Sequence, residues 1–209
     1  MLHYNPFEKG AEDYDSWFKK NNETFKSETE ALKKVFDKDK KTIEIGAGTG
    51  LFSKELGIKT GLEPSDDMGR IASSRGIEII KGFGENMPVK SEEYEQAVMI
   101  TVECFLADID KAFDEVNRII SDEGIFIIAF LNRETTLGDI YKNNQKDDPV
   151  YKYAEFRSGD EIKKLLEEHG FIFEESYCTV TDFENKNYPV EDGYGKGVFT
   201  VFKARKSRV

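Results

Sequence analysis

Hydrophobic positions change period partway along the chain. In "AEDYDSWFKKN" (residues 11–21) Tyr14, Trp17 and Phe18 recur at helical spacing. Leu32, Val35 and Phe36 do the same in "ETEALKKVF". The first forty residues therefore predict amphipathic helices, with Tyr14, Trp17 and Phe18 sharing one face. From residue 42 short β-branched runs alternate with helical ones. Residues 42–45, 59–63, 77–80, 95–100 and 124–131 predict strands. Helices are expected at 49–56, from Ser65 to Arg75, and after Asp108. Ser65 suits an N-cap followed by Asp66 and Asp67 in the first turn. Ser158 and Glu161 spell a capping box, and Gly170 stands where that helix should stop. The run "GIFIIAFL" is almost wholly apolar, as a strand buried on both faces requires.

Five β–α alternations are followed by "FIFEESYCTV" and "GVFTVFKAR", two strands with no helix between them. The order predicts an α/β fold: a doubly wound sheet of seven strands, mostly parallel, with an antiparallel C-terminal strand and extra N-terminal helices. Ligands on such sheets bind outside the carboxyl ends of the strands. The site is expected beside Ile45, Glu63, Ile80, Ile100 and Leu131.

Composition narrows the partners. The chain of 209 residues carries 30 Lys and Arg against 41 Asp and Glu, a net charge of −11. Such an acidic surface suits nucleic acid poorly, and no nucleic-acid partner is expected. Charged residues make up 34%, with only two glutamines; typical usage is roughly 25%. This fits a thermophilic source as well as it fits an ordinary, very soluble protein. Cys104 and Cys178 offer neither a disulfide framework nor metal-ligand spacing. Free thiols in a reducing cytoplasm are expected, with no metal. The first twenty residues lack a signal-peptide pattern, and no apolar run is long enough to span a membrane.

Chemistry concentrates in "KKTIEIGAGTGLFSKELGIKTGLEPSDDMG", residues 40–69. Gly46, Gly48 and Gly50 strip side chains from the loop after the first strand, so that a ligand can lie close to the backbone. A dinucleotide fingerprint needs its third glycine at position 51, which is Leu51, and no GK[ST] follows. Glu44 lies between Ile43 and Ile45 in a strand core. A buried carboxylate costs several kcal/mol unless it is paired. A phosphate would add repulsion, whereas an amine would relieve the charge. Glu63, at the next strand end, is free for a ribose diol.

"TIEIGAGTG" followed by "GLEPS" resembles motif I and the acidic second-strand position of the class I S-adenosylmethionine (SAM)-dependent methyltransferases. From "AEDYDSWF" through "VFTVFKARK" the chain is similar to their small-molecule, ubiquinone/menaquinone-methyltransferase-like group, whose fold is Rossmann-like. The resemblance implies one domain over 1–209: a helical cap (1–40), a SAM-binding core (41–131), and a substrate-side segment with the C-terminal strands (132–209). It implies that the backbone of Gly46, Ala47, Gly48 and Gly50 passes under the methionine part of SAM. Glu44 would hold the amino group, directly or through water. Glu63 would accept from the ribose hydroxyls, and Pro64 would pack on adenine. In "KGFGENMPV" the family's first acidic position is Phe83, a departure; Phe83, Gly84 and Glu85 would meet the adenine instead. Thr101 and Val102 would lie near the methionine, and Tyr14 and Trp17 would close over the cofactor.

The implied activity is methyl transfer from SAM to a small-molecule acceptor, giving S-adenosylhomocysteine, by a monomer or homodimer. A SAM-binding sensor or partner subunit without transferase activity is the alternative, and a dinucleotide oxidoreductase is a weaker one. No residue carries the signature of a general base, so catalytic residues stay unassigned. His3 and His169 sit at a terminus and a helix end, and Cys104 follows the fourth strand without an activating neighbour. Asn132, Arg133 and Glu134 follow the fifth strand, where acceptor contacts arise. Tyr141, Tyr151, Tyr153 and Phe156 are candidates for an acceptor wall. The glycine-rich loop 191–197 is a lid or a hairpin.

Overall fold

The computed structural model describes residues 10–208. Helices α1 (Ala11–Lys20) and α2 (Asn22–Lys33) lead into β1 (Thr42–Ile45), α3 (Leu51–Leu56), β2 (Thr60–Leu62), α4 (Asp66–Ser74) and β3 (Glu78–Ile80). Then come β4 (Tyr94–Ile100), α5 (Ile109–Ile119), β5 (Ile120–Leu131), α6 (Thr136–Asn144) and α7 (Gly159–Glu168). The chain closes with β6 (Phe171–Thr179), β7 (Glu191–Asp192) and β8 (Phe199–Lys206). The strands form one sheet in the order β3-β2-β1-β4-β5-β8-β6-β7. The first five run parallel, and β8 lies antiparallel between β5 and β6. This is the expected doubly wound, Rossmann-like α/β sheet.

Three details differ from the sequence expectation. The sheet has eight strands rather than seven, because residues of the 191–197 loop pair as β7 with β6 through Tyr177–Asp192 and Cys178–Glu191. No helix joins β3 to β4; Gly82, Gly84 and Pro88 interrupt that crossover, and each opposes helix formation. On α1 the inward face is Ala11, Tyr14, Asp15 and Phe18, while Trp17 is 46% exposed. Positions i, i+3, i+4 and i+7 define that stripe, and Trp17 falls beside it.

The local signals otherwise act as written. Ser65 accepts from the Met68 amide, Asp108 accepts from the Lys111 amide, and Ser158 with Glu161 completes the capping box. Strand β5 separates two apolar layers by its alternation. Ile125, Ile127, Ala129 and Leu131 pack toward α1, α2 and α3, whereas Phe126, Ile128 and Phe130 pack toward α5 and α7. In β1, Ile43 and Ile45 belong to the second layer. Alternation therefore turns Glu44 to the face beneath α1 and α3.

Candidate active site

The loop after β1 holds Gly46, Gly48 and Gly50 at φ 71°, 54° and 75°, a region that side chains disfavour. The Gly46 and Ala47 amides both donate to the Leu62 carbonyl, at 2.8 and 3.0 Å, which ties the loop to the end of β2. A Cβ on Gly46 would stand 2.4 Å from Val102 Cγ2. Val102, just past β4, thus occupies the space that the glycine vacates. A Cβ on Gly48 would stand 3.9 Å from Tyr14 Cε1, so α1 lies over the middle of the loop.

Two carboxylates flank this bare backbone. Glu44 is buried and accepts a hydrogen bond from the Ser53 hydroxyl of α3. Burial pushes its carboxyl up to about 8; the Ser53 bonds oppose this and the nearby Glu63 adds to it. Glu63 is also buried. Its Oε2 accepts from the Gly48 amide and its Oε1 from the Ser65 amide, each at 2.8 Å. Burial raises the Glu63 carboxyl, and those two amides restrain the rise.

The structure brings most of the expected residues to this end of the sheet. Thr101 adopts φ 51° and donates its amide to Ala129 at 2.7 Å, a strained exit from β4 that sets Val102 against the loop. Pro64 is half-buried at the end of β2. A Cβ on Gly84 would lie 3.2 Å from Leu106 Cδ2 and 3.6 Å from Ile45 Cγ2, which places Gly84 close against β1. Phe83 is 47% exposed, on a turn bridged to Asn86. The Glu85 carboxylate accepts from the Ala107 amide at 2.8 Å, so it is directed to the loop that follows β4. Trp17 meets Phe18 edge-on at 5.0 Å on the outer side of α1.

Helix α1 is fastened over the loop by Asp15. Its Oδ2 pairs with Arg75 Nη2 at 2.6 Å, and Arg75 also donates to the Thr49 carbonyl within the glycine loop. Burial raises the Asp15 carboxyl, but the Arg75 bond and charge outweigh it and hold the group below its ordinary value.

On the side of β4 and β5 lies an aromatic cluster. Tyr151 stacks on Phe105 at 5.9 Å and meets Tyr141 edge-on at 5.6 Å and Phe156 at 5.4 Å. Tyr153 is exposed. Glu103, in the turn after β4, is fully buried, and neither carboxylate oxygen has a hydrogen-bond partner among the described residues. Burial pushes it up to about 7, tempered by its own amide, Arg157 and the Cys104 amide. The Arg157 guanidinium is engaged instead with the Glu103 and Glu155 carbonyls and the Glu155 carboxylate.

Most of the other candidates are engaged in contacts within the fold. Asn132 donates to the Tyr194 carbonyl and accepts from the Glu134 amide, and Arg133 pairs with Glu161 at 2.6 Å. Glu134 is exposed. His169 joins α7 to α5 through Asp114 and Asp110; burial lowers its pKa, but the two carboxylates raise it further. Burial pushes the Cys104 thiol well up, so it is no thiolate. His3 lies outside the described residues. Among the described residues no cluster of His, Cys, Asp or Glu could hold a metal ion.

Sequence reasoning missed Asp15, Glu28 and Glu103. The first two had a usable signal. Asp15 shares the stripe of Ala11 and Phe18, and Glu28 shares that of Phe25 and Leu32. Each is a carboxylate on an apolar helix face, the pattern that drew notice to Glu44 in a strand.

Comparison with known proteins gives a consistent picture. A family model described as a methyltransferase domain matches residues 17–175. An uncharacterised protein of Methanocaldococcus jannaschii is 37% identical over 204 residues, 97% of this chain and 99% of its own length. An uncharacterised protein of Mycobacterium tuberculosis is 32% identical over 82% of this chain, which spans 62% of that longer relative. A SAM-dependent methyltransferase of Thermotoga maritima, described as a possible histamine N-methyltransferase, is 36% identical; its crystal structure superposes with a TM-score of 0.91, covering 97% of this chain and 98% of its own.

Proposed function

The chain belongs to the methyltransferase-domain family as an S-adenosylmethionine-dependent enzyme, and we propose that it methylates a small-molecule acceptor and releases S-adenosylhomocysteine. The observation that carries the proposal is the bare Gly46–Gly50 backbone set between two buried carboxylates, Glu44 and Glu63. The residues present fit this cofactor. The Gly46–Val102 contact leaves no room for a side chain, and the buried Glu44 calls for a cationic partner such as an amino group. Glu44 would hold that amino group, and Glu63 the ribose. Gly46, Ala47, Gly48 and Gly50 would border the methionine part with Thr101, Val102 and Tyr14. Pro64, Phe83, Gly84 and Glu85 would flank the adenine, and Trp17 the outer lip.

When bound, S-adenosylmethionine supplies a methyl group on a sulfonium, already a good leaving group. The chain's own contribution is orientation and the exclusion of water. Helix α1, fastened by Asp15 to Arg75, covers the loop and serves the second of these.

The acceptor side supports a small molecule. The aromatic cluster around Tyr151 adjoins the end of β4, and a net charge of −11 disfavours nucleic acid. We place the chain with the ubiquinone/menaquinone-like group on motif I, "GLEPS" and the N-terminal helices. We read it as one catalytic domain, 1–40 cap, 41–131 cofactor core and 132–209 acceptor side, acting as a monomer or homodimer. The cytoplasm is the proposed location, on two buried free cysteines and the absence, among described residues, of any membrane-length apolar helix. Relatives in Methanocaldococcus and Thermotoga support a thermophilic source. The histamine in the Thermotoga protein's description puts small amines first among acceptors to test.

Calorimetric titration of S-adenosylhomocysteine into the wild type and Glu63→Ala tests the cofactor site; equal affinities would count against it. A screen of metabolites, proteins and RNA for methyl transfer tests the acceptor class. Transfer to macromolecules alone would refute it.

A further inference from the structure

A cavity of about 150 Å³ opens where three segments meet. Helix α6 supplies Ile140, Tyr141 and Asn144, the turns that follow it supply Asp148 and Tyr151, and the loop between β6 and β7 supplies Phe183. Half of this lining is aromatic, and the rings stand at steep angles. Tyr141 meets Tyr151 at 83° with centroids 5.6 Å apart, and Phe183 at 51° with centroids 5.4 Å apart. The rings are walls in different planes, not a flat stack.

Phe183 is 62% exposed, yet the loop that carries it is fixed. Asn185 accepts from the Glu23 and Thr24 amides at 3.0 and 3.3 Å and donates to the Lys20 carbonyl at 2.8 Å. The Tyr188 hydroxyl donates to the Asp182 carbonyl at 3.0 Å. An aromatic ring held in water at the rim of a cavity is a standing surface for a ligand.

The polar groups of the lining are largely unspent. Asp148 Oδ1 accepts from the Val150 and Tyr151 amides at 2.8 and 2.9 Å, which fixes the side chain. Among the described residues no hydrogen bond or ion pair engages Asp148 Oδ2, the Asn144 side chain, or the Tyr141 and Tyr151 hydroxyls. None of the lining residues is basic. Lys152, on the same turn as Tyr151, lies over the Tyr153 ring at 5.4 Å. The cavity thus combines three aromatic rings, one carboxylate and no cation of its own.

We propose that this cavity binds the ammonium group of a small amine, with Tyr141, Tyr151 and Phe183 as its walls and Asp148 as its counter-charge. The proposal goes beyond the methyltransferase reading. Ring faces attract a cation, and the adjoining carboxylate answers its charge. An anionic ligand would be repelled by Asp148, and a neutral one would leave the carboxylate unanswered. The volume lies below the roughly 300–1,000 Å³ of drug-sized pockets, which suits a compact amine. The net charge of −11 draws cations toward the molecule. Tyr151 stacks on Phe105 at 5.9 Å, so the cavity adjoins the segment that follows β4.

The test is an NMR titration of the full chain with tert-butylammonium and with tert-butanol, which differ in the charged group alone. The ring resonances of Tyr141, Tyr151 and Phe183 report binding at this cavity. The amine should shift them and bind about tenfold more tightly than the alcohol. Asp148→Asn keeps an oxygen for the Val150 and Tyr151 amides and removes the charge. It should weaken the amine about threefold and leave the alcohol unchanged. Phe183→Ala, at an exposed rim, should weaken the amine with no loss of Tm. Equal or tighter binding of the alcohol, shifts confined to other residues, or an amine affinity unchanged in folded Asp148→Asn would overturn the proposal. No cofactor is present in the titration, so its outcome is separate from that of the methyltransferase reading.

Discussion

The Glu63 carboxylate accepts a hydrogen bond from the Gly48 amide at 2.8 Å, joining the end of β2 to the middle of the glycine loop. Its second oxygen accepts from the Ser65 amide, at the cap of α4. The residue proposed to hold the ribose thus also fixes the backbone on which the methionine part would lie. On the proposed reading, cofactor affinity and loop geometry would share one side chain.

Glu63→Gln keeps the shape but loses the charge and one acceptor oxygen, leaving an amide NH₂ against a backbone N–H. Hydrogen bonds to charged groups contribute about 1.5–3 kcal/mol, so S-adenosylhomocysteine should bind about 10- to 100-fold more weakly. Isothermal calorimetry reads this directly, and scanning calorimetry should show a lower Tm. An unaltered Kd would remove Glu63 from the site.

Gly46→Ala meets two obstacles, a φ of 71° and a Cβ placed 2.4 Å from Val102 Cγ2. The expected destabilisation is about 1–3 kcal/mol, measured by urea unfolding. Adding Val102→Ala should recover the steric part and leave the backbone part. Complete recovery would mean that the φ carries no penalty.

The stability of the ligand-free protein should fall as pH rises from about 4.5 to 8. Burial raises Glu44 and Glu28 from 4.5 to about 8, and Glu103 to about 7. In that window the unfolded chain has released protons that the folded chain keeps. The folded state binds more protons, so raising the pH favours unfolding. The stabilisation is complete at low pH and lost as pH passes the folded values. Tm against pH should decline more shallowly in Glu44→Gln. A wild-type Tm that climbs with pH across this window would contradict the assignment.

Asp15→Asn breaks the ion pair that holds α1 to Arg75. A largely buried pair should yield a loss of about 1–3 kcal/mol. Hydrogen–deuterium exchange should quicken in α1 while β4 and β5 stay protected, and S-adenosylhomocysteine affinity should drop as the cover loosens. Unchanged exchange in α1 would show that other contacts hold it.

Glu44, Glu63 and the three glycines were legible because their chemistry conflicts with their local setting: acids at strand positions, and bare backbone where a helix is about to start. Glu28 and Asp15 made the same conflict on helices, but a carboxylate on an amphipathic helix reads as an ordinary solvated position unless the buried face is located. Trp17 shows the converse. Its spacing suggested a face shared with Tyr14 and Phe18, and its angular position on α1 put it outside.

Periodicity, caps and turn residues act over a few residues, and the sequence alone determined what depends on them: the helices and strands, the doubly wound order, and the class of ligand that Glu44 and the glycines invite. Contacts between positions far apart in the chain were decided only by the tertiary structure. Val102 filling the space at Gly46, Arg75 reaching Asp15, and β7 adding to the sheet edge all depend on how finished elements pack. Burial then sets the protonation of Glu28, Glu44 and Glu103. A side chain's desolvation is a property of its surroundings, which no local pattern encodes.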